Sequence, residues 1–289
     1  MDDRRSVDGP LKAKGDPGIN RILVALDPSG HSRAALAAGA ALAERFRAEL
    51  LALFVEDANI RRLSELPFVE EVGFYTGTCR RVQVGELSRQ LRVQAGTMRR
   101  AFRVVTRHIE TRCTFREIRG RVAREVLAAA AEADVVILGK GAWSAVDTGR
   151  LAPDVREILG KVPASTLILQ AETEVAPPMR VVYTGTPLGV KALRIGARLA
   201  DDGELAVFVV ADDSDLASRL REEVTRELDG KPLTVSFETL TEATVSRLAY
   251  LVAHEAEGTL VLPADAHAME DEAVLQFLDE TGAPFLLVR

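Results

Sequence analysis

The chain has little of what catalytic and metal chemistry draws on. Only two of its 289 residues are cysteine, Cys79 and Cys113, and four are histidine, His31, His108, His254 and His267. The cysteines form no CxxC pair, and without an export signal they are expected as reduced thiols. The histidines have no ligand spacing among themselves or with the cysteines, so no metal site is expected. No GxSxG or other nucleophile signature occurs, and Gly139-Lys140-Gly141 does not extend into a Walker phosphate loop. Catalysis is therefore not expected. No apolar run approaches the length of a membrane span. The first residues, 1–19, are polar, charged and punctuated by Gly and Pro. They read as a flexible tail with no apolar signal stretch, so a cytoplasmic location is expected.

What is present is an ordinary globular balance, 47% hydrophobic and 28% charged, enough to bury a core. The length fits one large domain or two of ordinary size. The net charge of −6 is unevenly spread. Arg61 to Arg124 holds 15 Arg, no Lys and 6 Glu, whereas Pro178 to Arg289 holds 10 basic and 20 acidic residues. Either the basic segment and the acidic half face each other in the fold, or the basic segment meets an external anion. With no nucleic-acid motif present, nucleic acid is not expected as a partner.

RILVAL (Arg21 to Leu26), closed by Asp27, is a continuous apolar run of the kind found in strands buried on both faces of a parallel sheet. Pro28-Ser29-Gly30 marks a turn, Ser32 is the expected N-cap, and a helix is expected over Ala34 to Phe46. ELLALFV (Glu49 to Val55) is the next strand, and strand–helix–strand calls for a right-handed parallel crossover. Glu56 to Val84, with its Pro67-Phe68 step, is long for a connector and is expected as a partly helical insert or lid. Glu86 to Arg112 is a helix with Leu87, Leu91, Ala95, Met98, Phe102, Val105 and Ile109 on one face. Its arginines lie mostly elsewhere. The stripe packs on the sheet as a crossover, or the helix offers a basic amphipathic surface to an anionic partner. The first reading is preferred because a sheet is expected beside it, so a membrane surface is not expected as a partner.

A short strand over Thr114 to Arg119 and an Ala-rich helix over Ala123 to Ala133 lead into DVVILGKGAWSAVDTGRLAPDVREILGKVPASTLIL, Asp134 to Leu169. That stretch reads as strand, loop, helix and strand. A glycine where a parallel strand feeds a helix is a common phosphate seat in α/β proteins. Ala171 to Pro178 reads as a linker. The second half then repeats the first. Ala35 to Ala43 and Ala192 to Ala200 are both A-L-x-x-G-A-x-L-A, each between two apolar runs. The recurring Gly39 and Gly196 are unfavourable inside a helix unless close packing needs them. Gly258 to Leu262 corresponds to Asp134 to Leu138.

These residues resemble the universal stress protein family in its tandem form: ILVALDPSGHSRAAL, ELLALFVED, GRVAREVLAAAAEADVVILG and the closing helix and strand. The resemblance implies an α/β fold of two tandem doubly wound parallel-sheet domains, residues 20–170 and 179–289. The first carries a basic helical insert (57–112), and the second is shorter and degenerate. It implies pairing along the last strands, Thr166–Leu169 and Phe285–Val288, within the chain or in self-association. Nucleotide-binding members carry G-x2-G-x9-G followed by Ser or Thr after the fourth strand. Here those positions are Gly139, Ala142, Ala152 and Pro153, so one of four fits. Pro153 has no N–H to offer, and Asp154 puts a carboxylate in the helix's first turn, where it would repel a phosphate. Asp27 and Val55 stand where family members contact the nucleoside. Lys140 and Arg150 could attract an anion, and Trp143 could stack on a base or pack on its own domain. In the second half Pro263 replaces Gly139, and Thr186 stands in the place of Asp27. Ser29-Gly30-His31-Ser32 is similar to the SGGxDS loop of ATP pyrophosphatases but lacks its second glycine and aspartate, so it reads as a turn and cap. The expected function is a regulatory or binding module of the stress response that acts through protein contacts and needs no cofactor. The alternative is a protein binding ATP, ADP or AMP in its first domain, with Lys140 or Arg150 replacing lost amides.

Overall fold

The structure, a computed structural model, describes residues 18–58, 70–72, 79–81, 84–144, 150–241, 258–265, 279 and 281–289. The N-terminal tail and most of the Glu56–Val84 connector lie outside them.

The strands of the first half are β1 (Arg21–Leu26), β2 (Glu49–Asp57), β5 (Cys113–Gly120), β6 (Val135–Gly139) and β7 (Ser165–Leu169). A short antiparallel hairpin, β3 (Glu70–Val72) with β4 (Cys79–Arg81), lies in the connector that the sequence leads one to expect as partly helical. The helices are α1 (Gly30–Phe46), α2 (Val84–Val105), α3 (Val122–Ala130) and α4 (Pro153–Lys161). The second half contributes β8 (Met179–Tyr183), α5 (Pro187–Ala200), β9 (Glu204–Val210), α6 (Ser214–Glu227), β10 (Thr234–Leu240), β11 (Thr259–Pro263) and β12 (Phe285–Val288).

Ten strands form one sheet in the order β10-β9-β8-β11-β12-β7-β6-β1-β2-β5. Every neighbouring pair is parallel except β12 with β7, where Phe285 faces Ile168 and Leu287 faces Thr166. The halves therefore meet along their last strands inside one chain. Each of these two strands has a neighbour on both sides, so neither leaves a ladder edge for a second copy. The unbroken apolar strands follow from cover on both faces. Ile22, Val24 and Leu26 of β1 enter one core layer, beneath α1, α2, α5 and α6. Leu23 and Ala25 enter the other, beneath α3 and α4.

α2 is the crossover from β2 to β5. Ala95, Met98 and Phe102 are buried against the sheet, with Val105 and Ile109 packed beside them. Arg89, Arg92, Arg99, Arg100, Arg103 and Arg107 are exposed. A Cβ built on Gly39 would lie 2.3 Å from Val24 Cγ2, and one on Gly196 would lie 2.3 Å from Val181 Cγ2. Both glycines let their helix press against the equivalent strand, which is why the sequence motif repeats. On this helical side the halves also clasp through polar contacts. The Arg45 guanidinium donates to Leu199 O and pairs with Asp201, and Arg198 Nη2 donates to Arg45 O at 2.9 Å.

Candidate functional site

In a doubly wound sheet the ligand crevice lies at the carboxyl ends of the strands, where the strand order reverses. In the first half that point falls between β1 and β6, so Asp27 and Gly139 stand side by side above it. Asp27 is 4% exposed. Its Oδ1 accepts from Ser29 N at 3.0 Å, Ser29 Oγ at 2.5 Å and Ser32 Oγ at 2.5 Å. Its Oδ2 accepts from Trp143 N at 2.6 Å. An ionised carboxylate offers about four lone-pair sites; three donors from the chain itself crowd Oδ1 and one meets Oδ2. The N-cap of α1 is Ser29, not Ser32: the Ser29 side chain accepts from Ser32 N. The Ser32 hydroxyl is turned inward, accepting from Asp27 N at 2.8 Å while donating to the carboxylate. Either serine suits the cap by spacing. Proximity to the buried acid decides which one takes it.

His31, 7% exposed, covers the next part of the crevice. A Cβ on Gly139 would stand 2.6 Å from His31 Cβ, and one on Gly141 would stand 2.6 Å from His31 Nε2. Gly139 thus makes room for the backbone and Cβ of His31 in the first turn of α1, and Gly141 for its imidazole. Its Nδ1 accepts from Ala171 N at 2.9 Å.

The described ends of the loop between β6 and α4 are tied down by backbone hydrogen bonds. Ala142 N donates to Gly139 O, Ser144 N to Gly141 O and Ala152 N to Lys140 O. Ala142 and Ala152, at two positions that are glycine in the nucleotide-binding pattern, bury their methyl groups in the core. Pro153 takes the first helical position after the N-cap Ala152, where its missing N–H is least harmful. Trp143 packs against the same core layer, with φ at 61°. Its Nε1–H is buried with no hydrogen-bond partner among the described residues. The ring packs on its own domain. Val55, 2% exposed, lies past the last β1–β2 pair, Leu26 with Phe54, and pairs with Ile118 of β5.

The charged candidates are placed differently from one another. Arg150 is exposed at the loop's end. Lys140 is buried, and its Nζ reaches across the seam to donate to Thr281 O at 2.7 Å and Asp279 O at 3.3 Å. The Asp279 carboxylate enters the same place from the second half. Its Oδ1 accepts from Leu151 N at 2.9 Å, and its Oδ2 pairs with Arg156 Nη2 at 2.5 Å. Asp279 and Thr281 were invisible to motif spacing because they lie far along the chain, in the half with the weaker resemblance. Asp154 turns the other way, accepting from the Ala123 backbone. Burial, then the nearby Asp57 and Glu157, raises its carboxyl above the usual aspartate range, while the Ala123 hydrogen bond and Arg121 oppose this.

The second half carries the same frame with other residues. Superposing Gly196 on Gly39 and Val181 on Val24 places Thr184 at the position of Asp27, and Thr186 at that of Ser29. This corrects the expected match of Thr186 with Asp27: Thr186 is the cap, accepting from Gly189 N at 3.0 Å, and its hydroxyl meets that of Thr184 at 2.8 Å. Pro263 ends β11 where Gly139 ends β6, and Ala264 N donates to Val288 O as Lys140 N donates to Leu169 O. Among the described residues there is no group of three His, Cys, Asp or Glu able to hold a metal, and no helix long and apolar enough to cross a membrane.

Two doubly wound halves joined antiparallel along their last strands make up the tandem fold of universal stress proteins. A universal stress protein from Archaeoglobus fulgidus is similar over 96% of this chain and 98% of its own, at 15% identity and a TM-score of 0.64. A functionally unknown protein from Pseudomonas aeruginosa is similar over 96% of this chain and 94% of its own, at 14% identity and a TM-score of 0.53. A candidate universal stress protein from the same species is similar over 95% of each chain, at 15% identity and a TM-score of 0.52. No family model and no curated protein matches the sequence. What the chain shares with these structures is the fold.

Proposed function

We propose that this is a non-catalytic regulatory module of the universal-stress type that acts through protein contacts and does not hold ATP in the manner of its nucleotide-binding relatives. The observation that carries the proposal is the state of Asp27. Four donors of the same chain, from Ser29, Ser32 and Trp143, already converge on this buried carboxylate, three on Oδ1 and one on Oδ2, and a nucleoside would have to compete with them. The packed loop supports the same reading. His31 occupies the space over Gly139 and Gly141, and Ala142 and Ala152 fill positions where glycine would let phosphates approach.

Purified protein titrated with millimolar ATP, ADP or AMP and Mg²⁺ is expected to show no change in its thermal midpoint. A ligand that binds the native state raises the midpoint by mass action. Stabilisation by several degrees would overturn the proposal in favour of nucleotide binding by the first half.

A further inference from the structure

Asp279 stands out because it puts a second-half carboxylate into the first half's strand–loop–helix turn. We propose that this turn is an anion site whose resident ligand is the Asp279 side chain, a tethered carboxylate in the place a phosphate would take. The proposal deepens the reading above and rests on it.

Three features define the site. The first is donor geometry. Leu151 N–H, one residue before the N-cap of α4, donates to one carboxylate oxygen at 2.9 Å, and the Arg156 guanidinium binds the other at 2.5 Å. An amide at a helix entrance together with a guanidinium is the donor set that recognises phosphate as well as carboxylate. The second is the buried ammonium of Lys140. It projects from the loop and holds the backbone of the same segment, at Asp279 O and Thr281 O. A buried ammonium is stable only where polar partners surround it, and here the second half supplies them. The third is asymmetry. Superposing Leu169 on Val288 puts Gly160 at the position of Asp279, and a Cβ on Gly160 would meet nothing within 4 Å. Among the described residues the first half has a glycine where the second has this acid, so the arrangement is not forced by the symmetry of the fold. The Asp279 side chain is 19% exposed, so the position it fills is reachable from solvent.

The test compares wild-type protein with Asp279→Ala, using inorganic pyrophosphate as the probe against sodium chloride of matched ionic strength. Wild type is expected to show the same thermal midpoint in both salts. Asp279→Ala is expected to melt lower in chloride and to recover several degrees in pyrophosphate, with the recovery lost when Arg156→Gln is added. If Asp279→Ala fails to fold, Asp279→Asn keeps the shape and removes the charge; it is expected to show a smaller recovery that also depends on Arg156. An unresponsive pair of variants would overturn the proposal, as would a wild-type protein that responds as strongly as the variants. The outcome is separable from the nucleotide titration. Wild type stabilised by ATP but not by pyrophosphate would reject the functional reading while the comparison of variants still stands.

Discussion

The two halves share a backbone plan and differ in how they close the same crevice. In the first, a buried acid gathers donors from the helix start and the loop: Ser29, Ser32 and Trp143 converge on Asp27. In the second, Thr184 occupies that position and its hydroxyl meets the neighbouring cap hydroxyl of Thr186 at 2.8 Å. Pro263 then ends the strand where Gly139 ends it in the first half. The frame survives without the charge, because strand burial and the helix–strand contact at Gly39 and Gly196 hold it. The charged constellation is an addition in one half, and it is built from contacts that the chain makes with itself.

The largest expected contrast comes from removing the hub of each crevice. Asp27→Ala strands four donors, one of them the amide of a residue in a left-handed conformation. It should cost about 3 kcal/mol, the range for breaking a buried hydrogen-bonded charge network. Thr184→Ala removes one hydroxyl pair and should cost about 1 kcal/mol. Denaturant midpoints for the two variants would check this, and equal losses would mean that the halves are closed in the same way after all. Next in size, Gly39→Ala and Gly196→Ala should each cost about 2 kcal/mol by overpacking, and by similar amounts, since the added methyl meets a valine at 2.3 Å in both. A large inequality in their unfolding curves would break the equivalence of the two helix–strand contacts.

The smallest contrast lies in pH dependence. The folded state raises the pKa of Asp154, first through burial, above its ordinary 3.8. Its favourable contribution is therefore present below the unfolded value and is lost as pH rises through the folded one. Asp154→Asn should be slightly more stable than wild type at neutral pH, with the gap closing in acid. In the second half Glu227 is held below the usual glutamate range, first by its hydrogen bond from Arg194. That contribution is present above the unfolded pKa and is lost as pH falls through the folded one. Glu227→Gln should be less stable at neutral pH, and its gap should also close in acid. Thermal midpoints from pH 3 to 7 read both signs, and a shared sign would show that the two carboxyls are not in opposite environments.

The sheet was readable from the sequence because burial on both faces leaves an unbroken apolar run, and the duplication because a helical glycine under a valine tolerates no Cβ. Spacing alone does not separate Ser29 from Ser32, because both are short hydroxyl side chains within reach of one helix start. Only the position of Asp27 separates their roles. The match of Thr186 with Asp27 is a shift of two residues: the strand ends, Leu26 and Tyr183, and the caps, Ser29 and Thr186, both put Thr184 at the position of Asp27. The β3–β4 hairpin offers two three-residue strands, too short to show alternation. Asp279 could not be foreseen. Its partners, Leu151 and Arg156, belong to another half of the chain, and nothing local to an acidic segment marks one carboxylate as inward-facing.

The antiparallel seam between β7 and β12 also sets how the molecule responds to dilution. Two separate copies joined along the same strands would come apart as concentration fell, and their melting point would follow. Here the linker 171–178 keeps the partner strand always at hand, so the seam is insensitive to protein concentration. A homodimer would also have to repeat any seam residue twice. One continuous chain is free to place an aspartate on one side and a glycine on the other, and Asp279 opposite Gly160 records that freedom.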